Sequence, residues 1–400
     1  MNRKTLVGLI LIALVASLSP AHAQTFSIIH SFLNGWEGTI PYAGVTLRNG
    51  TLYGTTAYGG SNDCGTVYQI KQSGSDWVFT PIYIFQGGQN PYDGCVPNGR
   101  VVFGADGNLY GTTVAGNTNR GLVFELIPPV SAICKTAACL WTQNVLHMFA
   151  GSPNDGANPR YGDIVWDEQG NVYDMTSAGG SAMVGTVFQM TKTGSNWTET
   201  PIYNFHLPND AYPENSVIVD SNGNLFGVSN GSVFEMSYIP GIGWQEIIIH
   251  SMNPNYDGNN IYAGLIRDSS GNLYGAASTA GPDGGGTVFE LSPSGNTYTF
   301  KIIHSFSGGY LSGPSASLSM DAQGNLYGTT YYGGAFGAGN VFKLTKAGDS
   351  WEYTSLHDFR DWTQGSNPWS QVTIGPDGTL YGTTNRGGPG DWGTVWMIKP

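Results

Sequence analysis

The sequence predicts an all-β chain folded as a seven-bladed β-propeller, with four antiparallel strands to a blade. Three recurring markers predict it. The run "NLYGTTYYGG" (325–334) returns as "TLYGTTAYGG" (51–60), "NLYGTTVAGN" (108–117) and "TLYGTTNRGG" (379–388). Its aromatic recurs at Tyr53, Tyr110, Tyr173, Phe226, Tyr274, Tyr327 and Tyr381, a period of roughly 50 residues. A "GTVF"-like run follows each copy, from "GTVY" (65–68) to "GTVW" (393–396). A third, apolar run, as in "IIHSF" (302–306), also belongs to every copy. No segment sustains the 3.6-residue period of a helix.

Each copy divides into four strands. In the fifth they are a, "AGLIRD" (263–268); b, "NLYGAAS" (272–278); c, "GTVFEL" (286–291); and d, "FKIIHSF" (300–306). Alternation in "TVFEL" and the β-branched and aromatic content mark them as strands. Between a and b stands "DSSGN" or "DAQGN". There the Asp carboxylate can accept a backbone N–H two residues on, and Gly takes a positive φ, which is hairpin chemistry.

A lone sheet of this kind leaves both faces bare, so each unit needs neighbours, and a closed ring covers the last face. An open solenoid of seven units is the competing arrangement. The termini decide between them. "FSIIHSF" (26–32) is a d-type strand with no a, b or c before it, and the last copy stops after c. Phe26–Phe32 is therefore expected to pair with Gly393–Ile398 and complete the seventh blade.

Arg3 and Lys4 precede an apolar run over about Leu6–Leu18, and "AHA" (21–23) follows, the pattern of a secretory signal peptide. The expectation is a signal over 1–23 and one propeller domain over 24–400. The protein would be secreted, periplasmic or at the cell surface. The apolar run is shorter than the ~20 residues of a membrane helix, and no later stretch is long enough, so no membrane span is expected.

With 59 Gly, 12% aromatic and 11% charged residues, the chain reads as short strands and tight turns, since disordered segments are poor in aromatics. Lys and Arg number 16 against 28 Asp and Glu, without the basic clusters that phosphates require, which excludes nucleic acid as a partner. Four cysteines in an exported chain point to disulfides. Alternating strands bring the b–c and d–a loops to one face, so Cys64 is expected to meet Cys95. Cys134 and Cys139 would close the c–d loop of the next blade. No CxxC indicates zinc, no cofactor motif is present, and a monomer is expected.

The unit "DxxGNLYGTTxxGGxxxxGTVFxL" resembles the bacterial GloVer tandem-repeat family over essentially the whole chain after the leader. Copies two and six carry it well. Copy three has Asp174 where the Gly stands, and copy four shortens to "NLFGVSNGSVF" (224–234). The resemblance implies architecture, and no reaction or catalytic set.

His30, His147, His250, His304 and His357 occupy one slot of strand d, so they serve the unit rather than one active site. "GVSNG" (227–231) matches the G-x-S-x-G nucleophile elbow, but that motif needs a strand-to-helix turn. "DSNGN" (220–224) looks like a calcium loop and lacks its later Glu. In the d–a loops, Glu37, Asp93, Asp155, Asp210 and Asp257 either cap their own turns or form a carboxylate ring suited to Ca²⁺ or polar sugars.

The copies differ most at the start of strand a, which lines the central channel. One residue before its apolar anchor stand Gly44, Arg100, Asp163, Ser216, Gly264, Ser317 and Gln371; three before it stand Tyr42, Asn98, Tyr161, Glu214, Tyr262, Ser315 and Trp369. The two positions share a face. Tyr42, Tyr161, Tyr262 and Trp369 offer flat rings, and Arg100, Asp163, Glu214 and Gln371 offer charge and hydrogen bonds. This channel mouth is the candidate ligand site of a non-enzymatic module binding a glycan or an extracellular protein. The catalytic alternative is a lyase or hydrolase for a polysaccharide or lactone, built on Arg100, Asp163 and Glu214. The mouth has no His, which favours binding, and Arg100 and Asp163 are placed to pair across adjacent blades.

Overall fold

The a–b hairpin of six of the seven units is tied by its own aspartate, and the first turns through Asn49 and Gly50 instead. The computed structural model describes residues 24–87, 92–116, 119–129, 139–207, 211–360 and 362–400. In blade five, strands a (Ile266–Arg267), b (Leu273–Ala277), c (Gly284–Ser294) and d (Thr297–Ser307) are hydrogen-bonded in that order. Asp268 Oδ1 accepts the N–H groups of Ser270 and Asn272, each at 2.9 Å. Its Oδ2 accepts the Asn272 amide at 2.7 Å and the Tyr274 hydroxyl at 3.2 Å. Asp167 and Asp321 hold Tyr173 and Tyr327 in the same way. The Asp, Asn and Tyr of "DxxGNLY" are thus one hydrogen-bonded unit. The glycine after Tyr makes room for the strand-c ring: a Cβ on Gly275 would lie 2.4 Å from Phe289 Cζ.

Among the described residues the chain forms seven such four-stranded sheets, with one short extra ladder between Gly156–Ala157 and Ala178–Gly179. The seventh takes its outer strand from the other end of the chain. Thr25–Ser31 pairs antiparallel with Thr394–Lys399, Phe26 opposite Ile398, as the offset of the termini requires. Apolar clusters straddle neighbouring blades. Phe32 and Val395 of the closing blade pack with Val45, Leu52, Tyr68 and Ile70 of the first. Burying each such large side chain stabilises by roughly 1.5–3 kcal/mol.

Two features differ from expectation. Strand a is shorter than "AGLIRD", reduced to Ile266–Arg267, because the backbone before it bonds around the axis instead of to strand b. The Gly264 N–H, for example, donates to Ser317 Oγ at 2.9 Å. Strand d is longer and carries a bulge in each of the seven sheets. In blade five His304 lies opposite Val288 but Ile302 opposite Phe289, so Ile303 is the extra residue. A bulge re-aims the side chains beside it.

That re-aiming explains the repeated histidines. His30 stacks on Phe79, His250 on Phe300, His304 on Tyr353 and His357 on Phe26, each ring from the next blade. The d–a carboxylates complete the slot and cap their own turns. Asp257 Oδ2 accepts the Asn253 N–H at 2.8 Å and lies 3.0 Å from His250 Nε2. Asp93 accepts the Tyr83 hydroxyl and the Gln86 N–H, and Glu37 lies 3.3 Å from His30 Nε2. Asp210 lies outside the described residues.

Cys64 is bonded to Cys95, joining a b–c loop to the next d–a loop as expected. Cys139 is disulfide-bonded, while Cys134 and the proposed leader over 1–23 lie outside the described residues. Among the described residues no helix is long and apolar enough to cross a membrane. In "GVSNG", Ser229 is buried, its hydroxyl bonded to that of Ser232 at 2.7 Å across a two-residue turn, so no nucleophile elbow forms.

Candidate functional site at the channel mouth

Antiparallel alternation brings the d–a and b–c loops to one end of the ring, with the starts of the seven strands a beneath them. Neighbouring starts are linked directly. Thr46 donates its hydroxyl to Val101 O at 2.6 Å, the Tyr161 N–H to Glu214 O at 3.2 Å, and the Asn215 amide to Tyr262 O at 2.9 Å. Gln371 reaches Leu318 O at 2.7 Å, and Thr373 donates to Val45 O. With Arg100–Asp163 and Gly264–Ser317 these links run through all seven blades.

Above this belt the predicted aromatics converge. The Trp369 ring lies 5.6 Å from Tyr161, 5.4 Å from Tyr262 and 6.4 Å from Tyr42, centroid to centroid. Tyr331 joins them at 5.2 Å from Trp369. It was not expected from strand a, because it comes from the b–c loop; the "YY" of copy six, where other copies write "AY" or "NR", was its signal. The five rings thus meet at the channel mouth. The cavity at the mouth, lined by Tyr42, Tyr161 and Trp369 with Asn98, Arg100, Asp163 and Gln371, has about 30 Å³, room for one or two waters and not for a sugar ring.

The charged residues pair with one another. Asp163 Oδ1 accepts the Arg100 backbone N–H at 3.0 Å, and Oδ2 accepts Nε at 2.7 Å and also Nη2. Glu214 pairs instead with Arg160 at 3.2 Å. Burial raises the Glu214 carboxyl, and Arg160 pulls it back. Arg100, Asp163 and Glu214 therefore stand in two separate ion pairs. Burial, with the neighbouring Tyr310 hydroxyl, pushes Tyr262 up to about 12, so it is neutral at physiological pH.

Beneath the mouth lies Asp174, the residue that replaces a glycine in copy three. It is 1% exposed; Oδ1 accepts the Met175 N–H at 2.8 Å, and the Ser216 side chain faces the carboxyl. A Cβ on Gly162 would lie 2.6 Å from Oδ1, which puts this carboxyl directly under the turn that carries Asp163. Burial pushes its pKa up to about 7; the Met175 N–H and the neighbouring Ser216 hydroxyl oppose the rise and the charge of Asp163 adds to it.

The repeat itself decides the relationship. The family model of the Gloeobacter/Verrucomicrobia repeat matches residues 13–228 and again 228–400. The chain belongs to the Gloeobacter/Verrucomicrobia repeat family. No curated protein sequence matches it. Among solved structures, this GloVer-repeat chain is similar to the extracellular domain of a hybrid two-component system from B. thetaiotaomicron. That match has a TM-score of 0.57 and 13% identity over 93% of this chain and 39% of the other, so the chain spans well under half of that protein. A protein from Lactobacillus plantarum matches with a TM-score of 0.52 and 16% identity, over 84% of this chain and 88% of that one. The PQQ-bound aldose sugar dehydrogenase from Streptomyces coelicolor matches at 0.48 and 11%, over 95% and 99%. At these identities the first two likenesses show the fold alone.

Proposed function

We propose that this GloVer-repeat propeller is an exported carbohydrate-binding module that takes a glycan on the aromatic floor of its channel mouth. The observation that carries this is the convergence of Tyr42, Tyr161, Tyr262 and Tyr331 on Trp369, at the end of the ring where the copies differ. Flat rings beside directional polar groups are what a sugar face and its hydroxyls require. Tyr58, Tyr310 and Tyr332 stand exposed on the surrounding loops and extend the platform outward. The cavity is too small to admit a sugar, so the glycan lies on the floor instead of entering the channel. Pairing of Arg100 with Asp163 and of Glu214 with Arg160 supports binding over hydrolysis or elimination, which need an acid or base free to move a proton. The Cys64–Cys95 bond supports export to an oxidising compartment.

Screening the full chain on a glycan array, beside a hydrolase and lyase panel, tests the proposal. Losing one stacked ring costs about 1 kcal/mol or more, so Trp369→Ala should weaken a true ligand about fivefold or more. Gln323→Ala, in an a–b turn at the other end, should leave affinity unchanged. Turnover by the panel, capture of a protein partner with no glycan bound, or equal loss in the Gln323 variant would each overturn it.

A further inference from the structure

At each junction between blades, the residue beyond the strand-d bulge faces one residue of the next strand d. Four of these pairs are the stacked histidines and rings, with centroids 3.6–4.7 Å apart. In two more, the Tyr83 hydroxyl meets Gln143 Oε1 at 3.1 Å and the Tyr203 hydroxyl meets Glu246 Oε2 at 3.5 Å. The junction of blades two and three departs from both patterns. His147, in Thr142–Met148, faces Glu199, in Asn196–Asn204. Copy three writes "WTETP" (197–201) where copy five writes "YTFKI" (298–302), so a carboxylate stands in place of the ring.

Asp155 caps the d–a turn here as Asp257 does in blade four, so one histidine meets two carboxylates. His147 Nε2 lies 3.0 Å from Asp155 Oδ2 and 3.7 Å from Glu199 Oε2, and the three groups offer ligand atoms all within 4.8 Å of one another. The Glu199 side chain is only 4% exposed, and its Oε1 has no hydrogen-bond partner. Among the described residues, neither carboxylate is ion-paired with a Lys or Arg. A buried carboxylate oxygen without a donor is costly unless a charge compensates it. Donors on one tetrahedral zinc ion, at about 2.0–2.1 Å from it, lie about 3.4 Å apart, which falls between the two distances found here.

We propose that His147, Asp155 and Glu199 form a binding site for a divalent first-row transition cation, of which Zn²⁺ suits the donor set best. An imidazole nitrogen among the ligands disfavours Ca²⁺ and Mg²⁺, which take oxygen. Asp155 is already oriented from behind, since its two oxygens accept the Ala150 and Gly156 N–H groups at 2.6 Å each. His147 is 24% exposed, which gives the ion a path from solvent. Three protein ligands leave a fourth position for water. The site lies on the outer strands and is independent of the channel mouth.

The chain supplies its own control, because the other blades show that a ring is compatible with this position. After chelator treatment, calorimetric titration of the full chain with ZnCl₂ should give one site per chain, and zinc should raise the melting temperature. Glu199→Phe and Glu199→Gln should each weaken zinc at least about tenfold. Glu199→Phe should melt no lower than the wild type in chelator, which separates lost ligation from misfolding. Asp257→Asn, at the His250 pair that has no second carboxylate, should leave zinc binding unchanged. Absence of zinc binding by the wild type, undiminished binding by Glu199→Phe, or equal loss in Asp257→Asn would overturn the site.

Discussion

Thr373 donates its hydroxyl to the carbonyl oxygen of Val45, a residue 328 positions away in sequence. The bond joins the inner strands of the last and first blades. At the outer edge of the same blade, Thr25–Ser31 lies against Thr394–Lys399. The ring is therefore closed on its inside by side chains and on its outside by a strand.

Closure should dominate stability. Deleting residues 24–33 opens an edge on the seventh blade and removes Phe32, which is fully buried. The milder Phe32→Ala should cost about 3–5 kcal/mol, lowering the melting temperature by roughly 10 °C at 2–4 °C per kcal/mol. Calorimetry checks both, and an unchanged melt for the deletion would refute the role given to this strand.

The glycine of "LYG" should resist even a methyl group. Gly275→Ala puts a Cβ within 2.4 Å of Phe289 Cζ, and overpacking of this kind typically costs 1–3 kcal/mol. Gly295, in the c–d turn with open space around it, serves as the comparison, although its φ of +63° adds some strain to any side chain there. Chemical denaturation should rank Gly275→Ala as the worse of the two.

Asp174 should make stability fall as pH rises. Its folded pKa of about 7 stands well above the ordinary carboxylate value, so the folded state binds the extra proton between about pH 4 and 7. Its contribution is complete below that window and is lost as pH rises through 7. At about 1.4 kcal/mol per pKa unit, the effect is a few kcal/mol. Asp174→Asn should abolish this slope. Melting temperatures at pH 5 and pH 8 check it: the wild type should lose more than the variant.

His357 has the opposite sign. Burial lowers its pKa to about 4, with the Asp358 charge opposing, so the unfolded chain binds the extra proton between about pH 6.5 and 4. The stability it contributes is present above 6.5 and is lost as pH falls through that window. His357→Phe should melt with less dependence on pH between 6.5 and 4. An equal dependence in both proteins would show that this histidine is not the group responsible.

Blade number and strand order were legible in the sequence because the contacts behind them are local. Asp268, Asn272 and Tyr274 bond within seven residues, so the motif that makes the hairpin is also the motif that repeats. The paired termini followed from the offset of those motifs. The diversity of the strand-a starts likewise pointed to Tyr42, Tyr161, Tyr262 and Trp369, though not to their convergence on the Trp369 ring. What only the tertiary structure decided lies between blades: Tyr331 reaching Trp369, Glu214 pairing with Arg160 rather than joining Arg100 and Asp163, and Glu199 facing His147. Those partners sit in different copies of the repeat. Their distances depend on how far the ring curves and on a one-residue bulge in strand d, neither of which any local motif encodes.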